Sequence, residues 1–74
     1  MLNAKIENTA NAGRISEIEF YYANDGRNDT IDKAYKDLTS WFSFADYLHV
    51  GRGGSHVWVK DSRTDTRIFI VKEF

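Results

Sequence analysis

Arg14-Ile15-Ser16-Glu17-Ile18-Glu19-Phe20-Tyr21-Tyr22-Ala23 is the run whose reading decides the fold. Its side chains alternate, with Ile18, Phe20 and Tyr22 on one side and Glu17, Glu19 and Tyr21 on the other. That period of two is expected of a strand covered on one face. Upstream, Leu2, Ala4 and Ile6 interleave with Asn3, Lys5 and Glu7 in a shorter strand, and Asn8 to Gly13 supplies turn residues between the two. Downstream, Asn24-Asp25-Gly26-Arg27-Asn28 reads as a loop.

A helix follows. Asp29 or Thr30 caps it, because a short oxygen-bearing side chain accepts from the free amides of the first turn, and Asp32 adds negative charge at the positive end of the dipole. Ile31, Ala34, Tyr35, Leu38, Trp41 and Phe42 recur at helical spacing and form one apolar stripe, which leaves Lys33, Lys36 and Asp37 for water. Ser43 is placed to cap a further short turn through Asp46, while Tyr47 to Val50 fits either a helix end or the start of an extra strand.

The last third of the chain reads as a hairpin. Ser55 to Lys60 is one strand, Asp61-Ser62-Arg63-Thr64-Asp65 the turn and Thr66 to Lys72 the return. In this reading Val57 and Val59 pair with Ile68 and Ile70 beneath the helix. The opposite face then shows His56, Trp58, Lys60, Arg67, Phe69 and Val71. The expectation is a single α+β domain over residues 1–74, in which a mostly antiparallel sheet packs one face against one helix in the order ββαββ.

Composition narrows the classes of function. A chain of 74 residues builds one small core, so function is expected on a surface rather than in a deep pocket. Cys and Pro are absent, which removes disulfides, thiolate chemistry and cysteine-based zinc sites. No apolar run reaches the ~20 residues of a membrane span, and the amino terminus lacks the order of a signal peptide, so a cytoplasmic location with no membrane partner is expected. The net charge of −1 argues against gripping nucleic acid through bulk basicity. The charge is unevenly spread: residues 1–50 hold five Lys or Arg against eight Asp or Glu, and residues 51–74 hold five against three. Aromatic residues make up 15% of the chain, more than a minimal core needs, which places some rings on the surface.

The stretch richest in chemistry is Gly51-Arg52-Gly53-Gly54-Ser55-His56-Val57-Trp58-Val59-Lys60. Its glycines either let the backbone approach a partner or satisfy positive φ angles in a flexible connection. Arg52 offers a planar fork for phosphate or carboxylate, although neither glycine-rich phosphate signature is present. Tyr21, Trp58 and Phe69 fall by alternation on the uncovered face beside Lys60 and Arg67, where they make a protein interface, a platform for bases or simple cross-strand pairs. His56 is a candidate general base, and His49 stands alone. Two histidines across a glycine loop make no metal site, and no cofactor is implied. Asn24, Asp25, Asn28 and Asp29 do not match a calcium loop. Glu17 and Glu19 lie about 7 Å apart on the expected strand, as a solvated edge rather than a catalytic pair.

From Ile31 to Val71 the order of helix, glycine turn, Gly54-Ser55-His56, strand, turn and strand resembles the HicA-type messenger-RNA interferases. The resemblance implies that His56 acts as general base for attack of a ribose hydroxyl on the adjacent phosphate, with Arg52 or Lys60 steadying charge. The amino-terminal hairpin expected before the helix, the absence of a closing helix after the last strand and the lack of overall basicity depart from that family. In size and simple α+β layout the chain is also similar to small phage anti-defence proteins such as anti-CRISPR inhibitors.

The expectation that follows is a non-enzymatic binding module, in its most concrete form a mobile-element inhibitor that occupies a protein or nucleoprotein complex. Trp58, Phe69, Tyr21, Arg52, Lys60, Arg67 and His56 would make the contact, with direct nucleic-acid binding secondary. A HicA-like ribonuclease is one alternative. The other is a self-associating structural protein that pairs through edge strands at Leu2–Glu7 or Thr66–Phe74.

Overall fold

A computed structural model of the chain describes residues 2–8, 12–24 and 30–73. Along the chain the elements are β1 (Leu2–Ile6), α1 (Ala12–Asn24), α2 (Ile31–Trp41), β2 (Leu48–Arg52), β3 (His56–Asp61) and β4 (Thr66–Glu73). All strand pairings are antiparallel, and the sheet runs β1-β4-β3-β2. The α+β layout with an antiparallel sheet is present. The order ββαββ with one helix is not, because the second expected strand is α1 and the order is βααβββ.

The correction has a definite cause. Ile18 and Tyr22 are four residues apart, a separation that serves both a strand face and a helix face. Ile15 decides between the two periods. It is fully buried, as are Ile18 and Tyr22 nearly, so the apolar set is i, i+3, i+7 on a helix, and Phe20, the residue that completed the alternation, is 68% exposed. α1 lies against β1, where Glu19 Oε2 accepts from the Ile6 amide at 2.8 Å. Glu17 and Glu19 are therefore helix residues, and Glu19 secures the edge strand.

α2 forms as its stripe requires. Thr30 is the N-cap, its side chain accepting from the Lys33 amide at 3.2 Å, with Asp32 in the first turn. Ile31, Ala34 and Leu38 are buried against the sheet, and Phe42 caps the carboxyl end, its amide donating to the Leu38 carbonyl at 2.9 Å. The helix ends at Trp41, so Ser43 to Asp46 is a connection of turns and not a further helix. Residues 25–28 of the expected loop, residues 9–11 of the expected turn and the alternative cap Asp29 lie outside the described residues. Asn24, Ala12 and Gly13 belong to α1. No helix among the described residues is long and apolar enough to cross a membrane.

β2 is a full edge strand that takes in Gly51 and Arg52, residues expected in a loop. β4 is interior, between β1 and β3, so the free sheet edges are β1 and β2 and not the carboxyl-terminal strand. The expected hairpin forms, but its register is broken. Val59 faces Phe69 while Lys60 faces Arg67, which leaves Ile68 as an extra residue in β4. Such a bulge shifts the side-chain phase by one position. Beyond it, Phe69 and Val71 join Val59 and Val57 in the core under the helices, and Ile70 moves to the other face opposite Trp58.

Asp61 is the one buried charged residue among those described. Its carboxylate accepts from the Arg63 amide at 2.9 Å, from Arg63 Nε at 3.1 Å and from Arg63 Nη2 at 2.8 Å, and the Arg63 guanidinium stacks 3.5 Å from the Tyr47 ring centroid. These bonds from Arg63 outweigh desolvation and hold the Asp61 carboxyl below the usual carboxylate range.

Candidate functional site

Both helices pack on the same side of the sheet, and the register defines what the other side presents. Asn3 and Lys5 come from β1. Arg67, Ile70 and Lys72 come from β4, His56, Trp58 and Lys60 from β3, and His49 and Gly51 from β2. By register the described strand positions of this face hold no carboxylate, but Glu73, the last residue of β4, reaches a groove on this side. Asp65, in the β3–β4 turn, bonds Lys60 Nζ at 2.6 Å, which keeps the Asp65 carboxyl below its ordinary range. Asp65 also has a φ of 55°, the one positive value among the described non-glycine residues. A short polar side chain tolerates that region better than most.

The glycines of β2 and the loop after it explain the aromatic geometry. An added Cβ at Gly51 would lie 2.5 Å from Cε2 and Cζ2 of Trp58, and one at Gly53 would lie 2.5 Å from Cε1 of His56. The missing side chains on the edge strand are thus the space the two rings occupy, a cross-strand cover of glycine by aromatics. Gly54 meets nothing within 4 Å, and none of the described glycines has a positive φ. The turn-conformation reading of this loop is therefore set aside in favour of close approach, with rings of the same chain as the approaching groups. The His56 and Trp58 rings stack at 5.1 Å with planes 29° apart, and the Arg67 guanidinium sits 5.0 Å from the Trp58 ring centroid. Trp58 is half-buried by this arrangement, and among the described residues no second layer roofs it.

Beside the ring row lies a groove of about 340 Å³ lined by Ser55, His56, Arg67, Ile70, Lys72 and Glu73. Ile70 is its apolar floor, 3% exposed and separate from the core cluster on the other side of the sheet. Two cations, an imidazole and the Glu73 carboxylate stand around it.

Of the seven expected contact residues, the structure brings His56, Trp58, Lys60 and Arg67 together on this face. The other three lie elsewhere. Phe69 is fully buried in the core because the bulge at Ile68 reverses its side. Tyr21 is on α1, edge-on to Trp41 at 5.7 Å, and lines a cleft of about 240 Å³ with Arg14, Glu17, Ile18 and Trp41. Arg52 points to the helix side of β2, where it pairs with Asp32 and lies 5.7 Å from the Tyr35 ring centroid. The hydrogen bond from Arg52 lowers the Asp32 pKa. Lys5, Lys72, Ile70 and His49 were missed. Alternation alone already set Lys5 and Lys72 apart from their apolar neighbours, but bringing them onto one face required β1 to pair with β4.

The described residues contain no group of His, Asp and Glu that would hold a metal ion. The His56 ring packs against Gly53 and Trp58. No family model, curated protein or solved structure matches this chain, so geometry carries the functional reading.

Proposed function

We propose that this chain is a non-catalytic binding module whose working surface is the uncovered face of the sheet and whose partner presents anionic groups. One observation carries the proposal. Lys5, Lys60, Arg67 and Lys72 share that face with two histidines and a tryptophan, against Asp65 beside Lys60 and Glu73 at the groove, in a molecule whose net charge is −1. Segregated charge creates a local potential that the net value hides. A sheet face left without helix cover ordinarily carries scattered polar groups of both signs. Occupancy rather than turnover fits the surroundings of His56, since a general base needs an orienting partner and this ring is stacked instead.

The test is chromatography on heparin near neutral pH. A net-acidic protein with mixed charge flows through, whereas this chain is expected to be retained at low salt. Lys5→Glu with Lys72→Glu should abolish retention, and Lys33→Glu with Lys36→Glu, an equal change of charge on α2, should leave more of it. An unretained wild type, or equal loss in both pairs, removes this face from the proposal. Cleavage of RNA by the purified protein that His56→Ala abolishes would replace it with the ribonuclease alternative.

A further inference from the structure

We infer that the anionic partner is a single-stranded nucleic acid, held with one nucleotide unit in the groove over Ile70 and neighbouring bases against the His56–Trp58 row. The inference rests on the anion-binding reading above and names its ligand. The groove combines the apolar Ile70, the His56 imidazole, a hydroxyl from Ser55, the cations Arg67 and Lys72 and a single carboxylate, Glu73. At about 340 Å³ it lies at the small end of ligand pockets, which run to ~300–1,000 Å³. A flat, weakly polar ring joined to a phosphate is the chemistry that satisfies Ile70, the imidazole and the cations at once.

The ring row extends the same argument along β3. His56 and Trp58 stack on each other, and Arg67 covers part of the indole. Rings and guanidinium planes side by side on an open sheet are surfaces on which unpaired bases stack, with flanking cations neutralising the backbone. An acidic peptide or a lipid headgroup would satisfy the cations and leave the ring row unused. A duplex hides the faces of its bases, and the described surface offers no projecting helix or ribbon to enter a groove.

Trp41→Phe protein, in which Trp58 is the remaining indole, provides the assay. It would be titrated with single-stranded oligonucleotides of about eight nucleotides, one of DNA and one of RNA, within the range of known single-strand sites. The comparison ligands are duplex DNA of the same length, polyglutamate, and phosphatidylserine vesicles. Either single strand is expected to quench Trp58 fluorescence and bind with a log–log salt slope of roughly −2 to −3, as three or four phosphate contacts give. Lys5→Ala with Lys72→Ala should weaken binding at least tenfold and flatten the slope, and His56→Ala should weaken it severalfold with the slope unchanged. Circular dichroism confirms that each variant is folded. Heparin retention without oligonucleotide binding overturns this inference and leaves the anion-binding face standing. Equal or tighter binding of duplex, polyglutamate or vesicles also overturns it. Failure of both heparin and oligonucleotides removes both readings.

Discussion

The two faces of one four-stranded sheet are built from the same strands, yet they follow opposite rules. On the helix side, Leu2, Ala4, Val57, Val59, Phe69 and Val71 meet Ile15, Ile18, Ala34 and Leu38 from the helices, all of them buried. On the bare side the same strands show Lys5, Lys60, Arg67, Lys72 and a half-buried Trp58. The period-two geometry of a strand keeps the two sets apart with no further device. What the contrast teaches is that stability and recognition are assigned to separate sides, so each can be perturbed alone.

The largest expected effect tests that separation directly. Phe69→Ala removes a fully buried ring that packs 6.3 Å from Phe42 and should cost about 3–5 kcal/mol. For a domain of this size, total stability is on the order of 4–11 kcal/mol, so that loss leaves the protein marginal. Trp58→Ala, a larger truncation on the bare side, is expected to leave the fold intact and cost less than half as much. Urea denaturation of the two variants side by side decides the point. Equal destabilisation would make Trp58 a structural residue like Phe69 and erase the contrast between the faces.

An intermediate effect is expected at the glycines, where the bare face is shaped from beneath. Gly51→Ala puts a methyl where the indole lies, and relieving that overlap should cost about 1–3 kcal/mol while shifting the Trp58 ring. Gly54→Ala meets open space and should be nearly silent. Near-ultraviolet circular dichroism reports the ring and denaturation reports the cost. Silence at both positions would mean that the indole does not rest on Gly51 in solution.

How much of this could be read from the chain follows from which signals are local. α2 was legible to within one residue of its cap, open between Asp29 and Thr30, because Asp32 and the stripe from Ile31 to Phe42 lie within one segment. The β3–β4 hairpin was legible for the same reason. α1 was not, since Ile18 and Tyr22 satisfy both periods and Phe20, an exposed ring, mimicked a third inward residue. Nor was the placement of Phe69 and Ile70, because the bulge at Ile68 is a property of the pairing of two strands and leaves no mark in either one. Within the candidate site, His56, Trp58, Lys60 and Arg67 were found by alternation before the bulge intervened. Lys5 and Lys72 required the pairing of β1 with β4, a contact between the two ends of the chain.

The smallest effect is expected at the two ends of the β3–β4 turn, where each face holds one aspartate. Asp61, on the covered side, has a side chain only 6% exposed and accepts three bonds from Arg63, whereas Asp65, at the rim of the bare side, is 84% exposed and bonds Lys60. Both carboxyls are held below their unfolded range by these hydrogen bonds. A depressed folded pKa means that the unfolded chain takes up protons first as pH falls. Each aspartate therefore contributes stability that is complete above the unfolded value of about 3.9 and disappears as pH drops through the folded value. Asp61→Asn should lower stability at neutral pH and converge with wild type in acid, once pH falls below the depressed folded value. Asp65→Asn keeps a residue that tolerates positive φ and should show the same sign with a much smaller amplitude, because solvent and salt screen an exposed pair. Thermal denaturation from neutral pH downward measures both differences. A larger pH-dependent difference for Asp65→Asn than for Asp61→Asn would place the acid-sensitive bond on the bare side, and the division of labour between the faces would no longer hold for charge.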